Sequence, residues 1–374
     1  MGIAYQSGIC CQRSLKRLVC STEERSKVLE SPLISFDRRF AEKLLEAQAA
    51  IQPEVKEYSS VQRQKSVRDI LLHLQFLDQA MAAESPRLFS DYMQWNQVVM
   101  VERGIDENSL KIFLQILRDH FEELLMPIAY DAVLPYLTRA MEDLENPAVM
   151  EDITAIQPDN PFYTQAQEYL EAVLGTDRQA ALMKVNQFVR DGLTIKDIYL
   201  HIFQPVQHEI GRLWQRNRIS IAQEHYATAL TQLAMAQLYP QVFTTERVGF
   251  RLVAACVGSE LHEIGVRMVA DFFEMAGWDT YYLGANVPAS EIIKAVEAQN
   301  ADLLALSVTL SSQIMQLRDL IHEIRKGVKR DIKILVGGYP FNVDPRAWQV
   351  VGADAYAPDA QAAIDTAFTL VNVT

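Results

Sequence analysis

The sequence predicts a multidomain α and α/β protein: an N-terminal helical domain, a four-helix bundle and a C-terminal flavodoxin-like five-stranded parallel sheet. Three observations lead there. Apolar positions recur at helical spacing over residues 33–150. Residues 163–245 repeat that pattern as segments joined by short turns, which marks antiparallel helical neighbours. From residue 250 short apolar runs alternate with amphipathic stretches, and such alternation builds a parallel sheet covered by helices.

Taken in order, residues 1–32 are mixed and mildly basic (Arg13, Lys16, Arg17) and are expected to form a flexible leader. Within 33–150, residues 36–51 and 67–77 are periodic, and Pro86 suits the first turn of a helix that Gly104 ends. Asp106 or Asn108 can cap the next helix, and Pro127 interrupts before the last. His73 and His120 are either haem or bilin contacts or ordinary helix histidines. Phe76, Phe89, Tyr92, Trp95, Phe113 and Phe121 are most simply core and alternatively line a chromophore pocket. This domain is expected to serve sensing or dimerisation. Prolines and turn formers make residues 151–162 a linker. Helices follow at 163–174, 178–190, 195–214 and 221–239.

The sheet domain, 250–374, has expected strands near 251–257, 279–283, 302–307, 331–336 and 353–356. Expected helices lie near 264–276, 289–299, 312–327, 344–350 and 359–371. After the first strand comes Glu260-Leu-His-Glu-Ile-Gly265. His262 thus lies in a loop at the carboxyl end of a strand, where open α/β sheets bind ligands. Glu260 can accept the proton of one ring nitrogen and fix the tautomer of a metal ligand. Gly265 permits close approach of something bulky. From Gly265, 41 residues precede Ser307-Val-Thr309, and a further 27 precede Gly337-Gly338. Three loops on one sheet edge therefore offer an imidazole, small hydroxyls and a glycine pair.

With these residues the chain resembles the cobalamin-binding domain family, whose pattern is acidic-x-His-x-x-Gly, a Ser-containing strand end and Gly-Gly at this spacing. The resemblance implies that His262 ligates cobalt from below and that Glu260 orients it. It also implies that Ser307 and Thr309 contact the displaced nucleotide tail, with Gly337 and Gly338 making room for it. Most enzymes of the family carry Asp where this chain has Glu260; the longer side chain occurs in a light-sensing branch.

A second motif lies upstream. Trp214 ends the third helix of the bundle, and Glu224 and His225 begin the fourth. Two helix ends meeting at a turn bring an aromatic plate, a carboxylate and an imidazole to one end of the bundle. Over residues 163–372 this resembles the adenosylcobalamin-dependent light-sensing regulators typified by repressors of bacterial carotenoid genes. The resemblance implies that Trp214, Glu224 and His225 surround an adenosyl group above cobalt. Two departures stand out. No DNA-binding winged helix is seen, so direct nucleic-acid binding is not expected. Gln215 replaces the histidine that captures cobalt after photolysis, which puts a bis-histidine photoproduct in doubt. A related group of photoreceptors places a bilin-binding helical domain beside such a module, and residues 33–150 fit that architecture, which leaves biliverdin, haem or no chromophore open for them.

Composition narrows the alternatives. A net charge of −13 argues against a nucleic-acid binder. No apolar run reaches the ~18 residues of a membrane span, and no signal-peptide core is seen, so a cytoplasmic protein is expected. Cys10, Cys11, Cys20 and Cys256 match no zinc spacing; Cys256 is expected in the core, and Cys20 is a conceivable chromophore attachment point. The leading expectation is a non-enzymatic light sensor whose cobalt–carbon photolysis changes its conformation or its homo-oligomeric state, with output through assembly or a separate effector. The alternatives are a corrinoid methyl carrier of a methyltransferase system and a non-photochemical cobalamin-dependent regulator.

Overall fold

The computed structural model describes residues 37–146, 150–175, 177–243 and 245–371. The leader expected over 1–32, with Cys10, Cys11 and Cys20, lies outside them. The chain divides into two compact units, Met1–Val149 and Met150–Thr374.

The first unit contains α1 (Arg38–Ile51), α2 (Ser60–Ala82), α3 (Pro86–Val101), α4 (Ser109–Leu124) and α5 (Pro127–Asp143). Side chains set the helix starts. Asp37 accepts from Phe40 N at 3.0 Å, Ser59 and Gln62 form a capping box, and Pro86 and Pro127 occupy first turns. Neither candidate side chain caps α4; Asp106 instead accepts from Asn108 N in the preceding turn. Gln94 and Gln97 of α3 donate to the carbonyls of Asp143 and Leu144 at the end of α5, groups with no partner within that helix. His73 is buried, and its Nδ1 lies 2.9 Å from the Tyr92 hydroxyl. The Phe76 and Tyr92 rings stack at 3.6 Å. Of the six aromatic candidates only Trp95, 40% exposed, stands outside this core. His120 bonds its own helix through Ile116 O at 2.9 Å.

The second unit begins with a segment that is expected to be a linker and is instead laid against the helices. Arg216 donates to the carbonyls of Met150 and Glu151, Ala155 N donates to Glu209 at 2.7 Å, and Ile156 enters the core. Asp152 pairs with Arg212 and Arg216. The helices are α6 (Tyr163–Leu174), α7 (Arg178–Arg190), a composite α8 and α9 (Ile221–Val242). The composite runs through a turn Ile195–Asp197, a π-helical stretch Ile198–Phe203 and an α-helix Gln204–Gln215. Pro205 explains the irregularity. It has no N–H for the carbonyl four residues back, His201 O, which accepts instead from Asn160 Nδ2 at 2.7 Å.

The sheet contains β1 (Arg251–Val257), β2 (Asp279–Val287), β3 (Leu303–Ser307), β4 (Lys333–Gly337) and β5 (Ala355–Tyr356), all parallel, in the order β2-β1-β3-β4-β5. Its helices are α10 (Ile264–Met275), α11 (Ala289–Gln299), α12 (Ile314–Gly327), the short α13 (Tyr339–Val343) and α14 (Ala347–Val350), and α15 (Ala360–Val371). The strand order reverses between β1 and β3, the crevice where such sheets take ligands. Two glycine segments differ from expectation. Gly284 reads as loop punctuation, yet at φ 81° it forms a bulge through which β2 continues to Val287. The expected turn at Gly337-Gly-Tyr-Pro340 is the start of α13, with Gly338 as its N-cap. One continuous hydrophobic core runs from Tyr169, Phe203 and Met235 of the helices to Leu252, Phe272 and Leu303 of the sheet. No helix among the described residues is long and apolar enough to cross a membrane.

Candidate functional site

The loop after β1 is built around one buried carboxylate. Glu260 is 1% exposed, and its Oε1 accepts from Leu261 N at 2.9 Å, His262 N at 3.0 Å and His262 Nδ1 at 2.5 Å. Its Oε2 accepts from Thr309 N at 2.8 Å and Leu310 N at 3.3 Å. Burial alone would push this carboxyl up, but bonds from His262 and the Thr309 backbone hold it below the usual carboxylate range. Cys256, whose thiol burial pushes up to about 12, donates from Sγ to His262 O at 3.6 Å.

The His262 side chain remains 59% exposed. With Nδ1 held by Glu260, Nε2 is the nitrogen placed to hold a metal. The bond to Glu260, working against partial burial, raises the His262 imidazole above the histidine range, and the Glu224 carboxylate adds to that shift.

The helical side of the site is the turn between α8 and α9. Asn217, at φ 56°, closes α8, with Asn217 N bonding Trp214 O at 3.0 Å and Arg218 N bonding Leu213 O at 2.8 Å. A capping box of Ser220 and Gln223 starts α9. Trp214 and Glu224 are half-buried there, and His225, 72% exposed, bonds the Glu224 carboxylate through Nδ1.

The remaining expected residues share the sheet edge. Cys256, Ser307 and Gly337 stand side by side in register on β1, β3 and β4. At Thr309 it is the backbone N–H that engages Glu260. A side chain at Gly338, at φ 106°, would run into the Val308 peptide, so this glycine lets two loops close on each other. At Gly265 an added Cβ would meet nothing within 4 Å.

Sequence patterns missed a third group. Glu263 Oε1 accepts from Gln232 Nε2 of α9 at 2.7 Å, while Oε2 accepts from Tyr282 OH at 3.0 Å and Ala285 N at 3.2 Å. Asp271 of α10 accepts from Tyr199 OH in the π stretch at 2.8 Å. These contacts join the helical unit to the sheet. Apart from their acidic type, nothing in the sequence pattern marks them.

Residues 250–365 match a family described as B12 binding domain, and residues 165–239 match a second family with the same description. Dimethylamine corrinoid protein 1 of Methanosarcina acetivorans is 26% identical over 210 residues, covering 55% of this chain and 96% of the relative. The HTH-type transcriptional repressor CarH of Myxococcus xanthus is 25% identical over 212 residues, covering 56% of this chain and 69% of the relative. The fold is shared with the Methanosarcina barkeri monomethylamine corrinoid protein, at a TM-score of 0.50 and 18% identity over 55% of this chain and 98% of the other.

Proposed function

Because the chain carries cobalamin-binding domains over residues 165–239 and 250–365, we propose that it is a light sensor that holds adenosylcobalamin between its helical unit and its sheet. The observation that carries this proposal is the joining of two sites. The α8–α9 turn brings Trp214, Glu224 and His225 to one end of the helices, and Gln232 of α9 is bonded to Glu263, the residue after His262. Nothing in a methyl ligand calls for a carboxylate and an imidazole beside it. A large upper ligand bearing hydrogen-bonding groups does.

The residues fit a corrinoid. His262 offers Nε2 to cobalt while Glu260 fixes its ring, and the open space at Gly265 admits a macrocycle near the backbone. Ser307, Thr309, Gly337 and Gly338 form the sheet edge along which the nucleotide tail would lie. When bound, adenosylcobalamin supplies a weak, light-labile cobalt–carbon bond. Trp214, Glu224 and His225 would contact the bound group from the helical side, and their packing would respond to a change in it. Gln232–Glu263 and Tyr199–Asp271 are the polar contacts through which helices and sheet would shift, a two-state packing change that alters assembly or a partner surface.

The relation to dimethylamine corrinoid protein 1 favours a second function, a carrier of methyl groups between methyltransferases. A third is a regulator that uses cobalamin without photochemistry. Absorption spectra of protein reconstituted with adenosylcobalamin or methylcobalamin, in the dark and after green light, separate the three. The sensor requires a light-driven spectral change, altered in Trp214→Ala, together with a changed elution volume. Exchange of bound methyl to a thiol acceptor, with no size change on illumination, would instead establish the carrier. Light-insensitive binding would establish the regulator. A far-red band on adding biliverdin would assign the N-terminal unit as a second chromophore domain.

A further inference from the structure

A chain of hydrogen bonds runs from the upper face of the site into the core of the helical unit. Thr231 Oγ1 accepts from Tyr169 OH at 3.1 Å and from Gln207 Nε2 at 2.8 Å, and donates to Ala227 O at 3.1 Å. That hydroxyl is saturated, with one donor and two acceptor positions in use. Gln207 is thereby held with its nitrogen on Thr231 and its oxygen on Thr228. The Thr228 hydroxyl lies 3.1 Å from Gln207 Oε1 and 3.1 Å from Glu224 Oε1. It has one proton for two acceptors. Tyr169 and Thr231 are fully buried, so the arrangement is fixed from within the core.

We propose that Thr228 is a hydroxyl switch that frees Glu224 for an upper ligand bearing hydroxyl donors, with Gln207 as the positioning residue that takes over the Thr228 proton. Before such a ligand arrives, Thr228 donates to Glu224. A ligand hydroxyl that donates to Glu224 Oε1 competes with Thr228 for that oxygen, and Thr228 rotates its proton to Gln207. In the first state the half-buried Gln207 Oε1 is without the Thr228 donor, and in the second the ligand hydroxyl and Thr228 supply one donor to each acceptor, so the exchange gains a pairing rather than losing one. A methyl ligand has no hydroxyl and leaves Thr228 on Glu224. Selection for a sugar-bearing upper ligand over a methyl group is then set one layer behind the carboxylate. This inference rests on the reading that Glu224 faces the upper ligand.

The test is the affinity of the apoprotein for adenosylcobalamin and for methylcobalamin, titrated in the dark, with thermal unfolding of each apoprotein as a check of folding. Gln207→Leu removes the second side-chain acceptor of the Thr228 proton and keeps it on Glu224, and the adenosyl-to-methyl affinity ratio falls about fivefold. Thr228→Val removes the competitor, and the ratio stays or rises. A residue with only a structural role would move both variants the same way. Ratios that fall together, or that both remain at the wild-type value, overturn the switch. Glu224→Gln separates the two levels. If it changes the ratio while Gln207→Leu does not, Glu224 faces the ligand and the switch is wrong. If none of the three changes it, both are wrong.

Discussion

Gln232 Nε2 donates to Glu263 Oε1 at 2.7 Å, so the residue directly after His262 ties helix α9 to the loop that carries the imidazole. Because Glu263 also accepts from Tyr282 OH and Ala285 N on β2, one carboxylate sets the spacing of helix, loop and strand. Replacing Glu263 by Ala is expected to cost about 2–3 kcal/mol for three lost bonds, read from urea unfolding of the apoprotein. Gln232→Leu should cost about 1 kcal/mol and expose the α8–α9 turn to limited proteolysis. An unchanged digestion pattern would show that the tie does not hold the helices to the sheet.

Glu260→Gln should do more harm than its size suggests. Oε1 faces three N–H groups and Oε2 faces two, so either orientation of the new amide turns its NH2 group against donors. A loss of roughly 3 kcal/mol in stability and about 10- to 100-fold in cobalamin affinity is expected. His262→Ala leaves Glu260 its backbone partners and should spare stability while removing the imidazole signature from the bound cobalamin spectrum. Equal destabilisation by both variants would show that His262 matters to the loop as much as its carboxylate.

Two glycines separate folding from binding. Gly338→Ala places a Cβ against the Val308 peptide at a backbone angle of φ 106° and should destabilise the apoprotein by at least about 2 kcal/mol. Gly265→Ala meets no atom within 4 Å and should leave apoprotein unfolding unchanged. If a macrocycle approaches there, cobalamin affinity falls in Gly265→Ala alone. Calorimetry and cobalamin titration of the two variants decide the matter.

One buried group in each unit responds to acid in the opposite sense to the other. Burial pushes His73 down from 6.5 to about 4. Its contribution to the N-terminal unit is present above pH ~6.5 and lost as pH falls through about 4, roughly 3 kcal/mol in all. Burial pushes Asp271 up from 3.8 to about 6, against the opposing Tyr199 bond and Arg267 charge. Its contribution to the C-terminal unit is full below pH ~3.8 and lost as pH rises through about 6, again roughly 3 kcal/mol. Difference curves of urea unfolding across this range should slope in opposite directions for His73→Asn and Asp271→Asn. Slopes of one sign would mean that one of the two groups is not shifted in the direction its burial dictates.

The strand–helix alternation, the position of His262 after β1 and the pairing of Glu260 with it were legible because each depends on neighbours in sequence. Apolar period, turn residues and a carboxylate two residues from an imidazole are local facts. The length of β2 was not legible, because Gly284 looks alike in a loop and in a bulge and only pairing with β1 tells them apart. Nor was the fixing of residues 150–156, where Arg212, Arg216 and Glu209, more than 50 residues away in sequence, hold a segment rich in turn formers. Glu263, Asp271, Gln207 and Thr231 look like ordinary polar positions on helices or at their starts. The bonds Gln232–Glu263, Tyr199–Asp271 and Gln207–Thr231 join residues 31, 72 and 24 apart in sequence. By itself the sequence determined which elements form and which loop carries the imidazole, because those follow from local periodicity and spacing. Only the tertiary structure decided how the helical unit is fastened above that loop, because hydrogen bonds between distant residues depend on where packing has carried them.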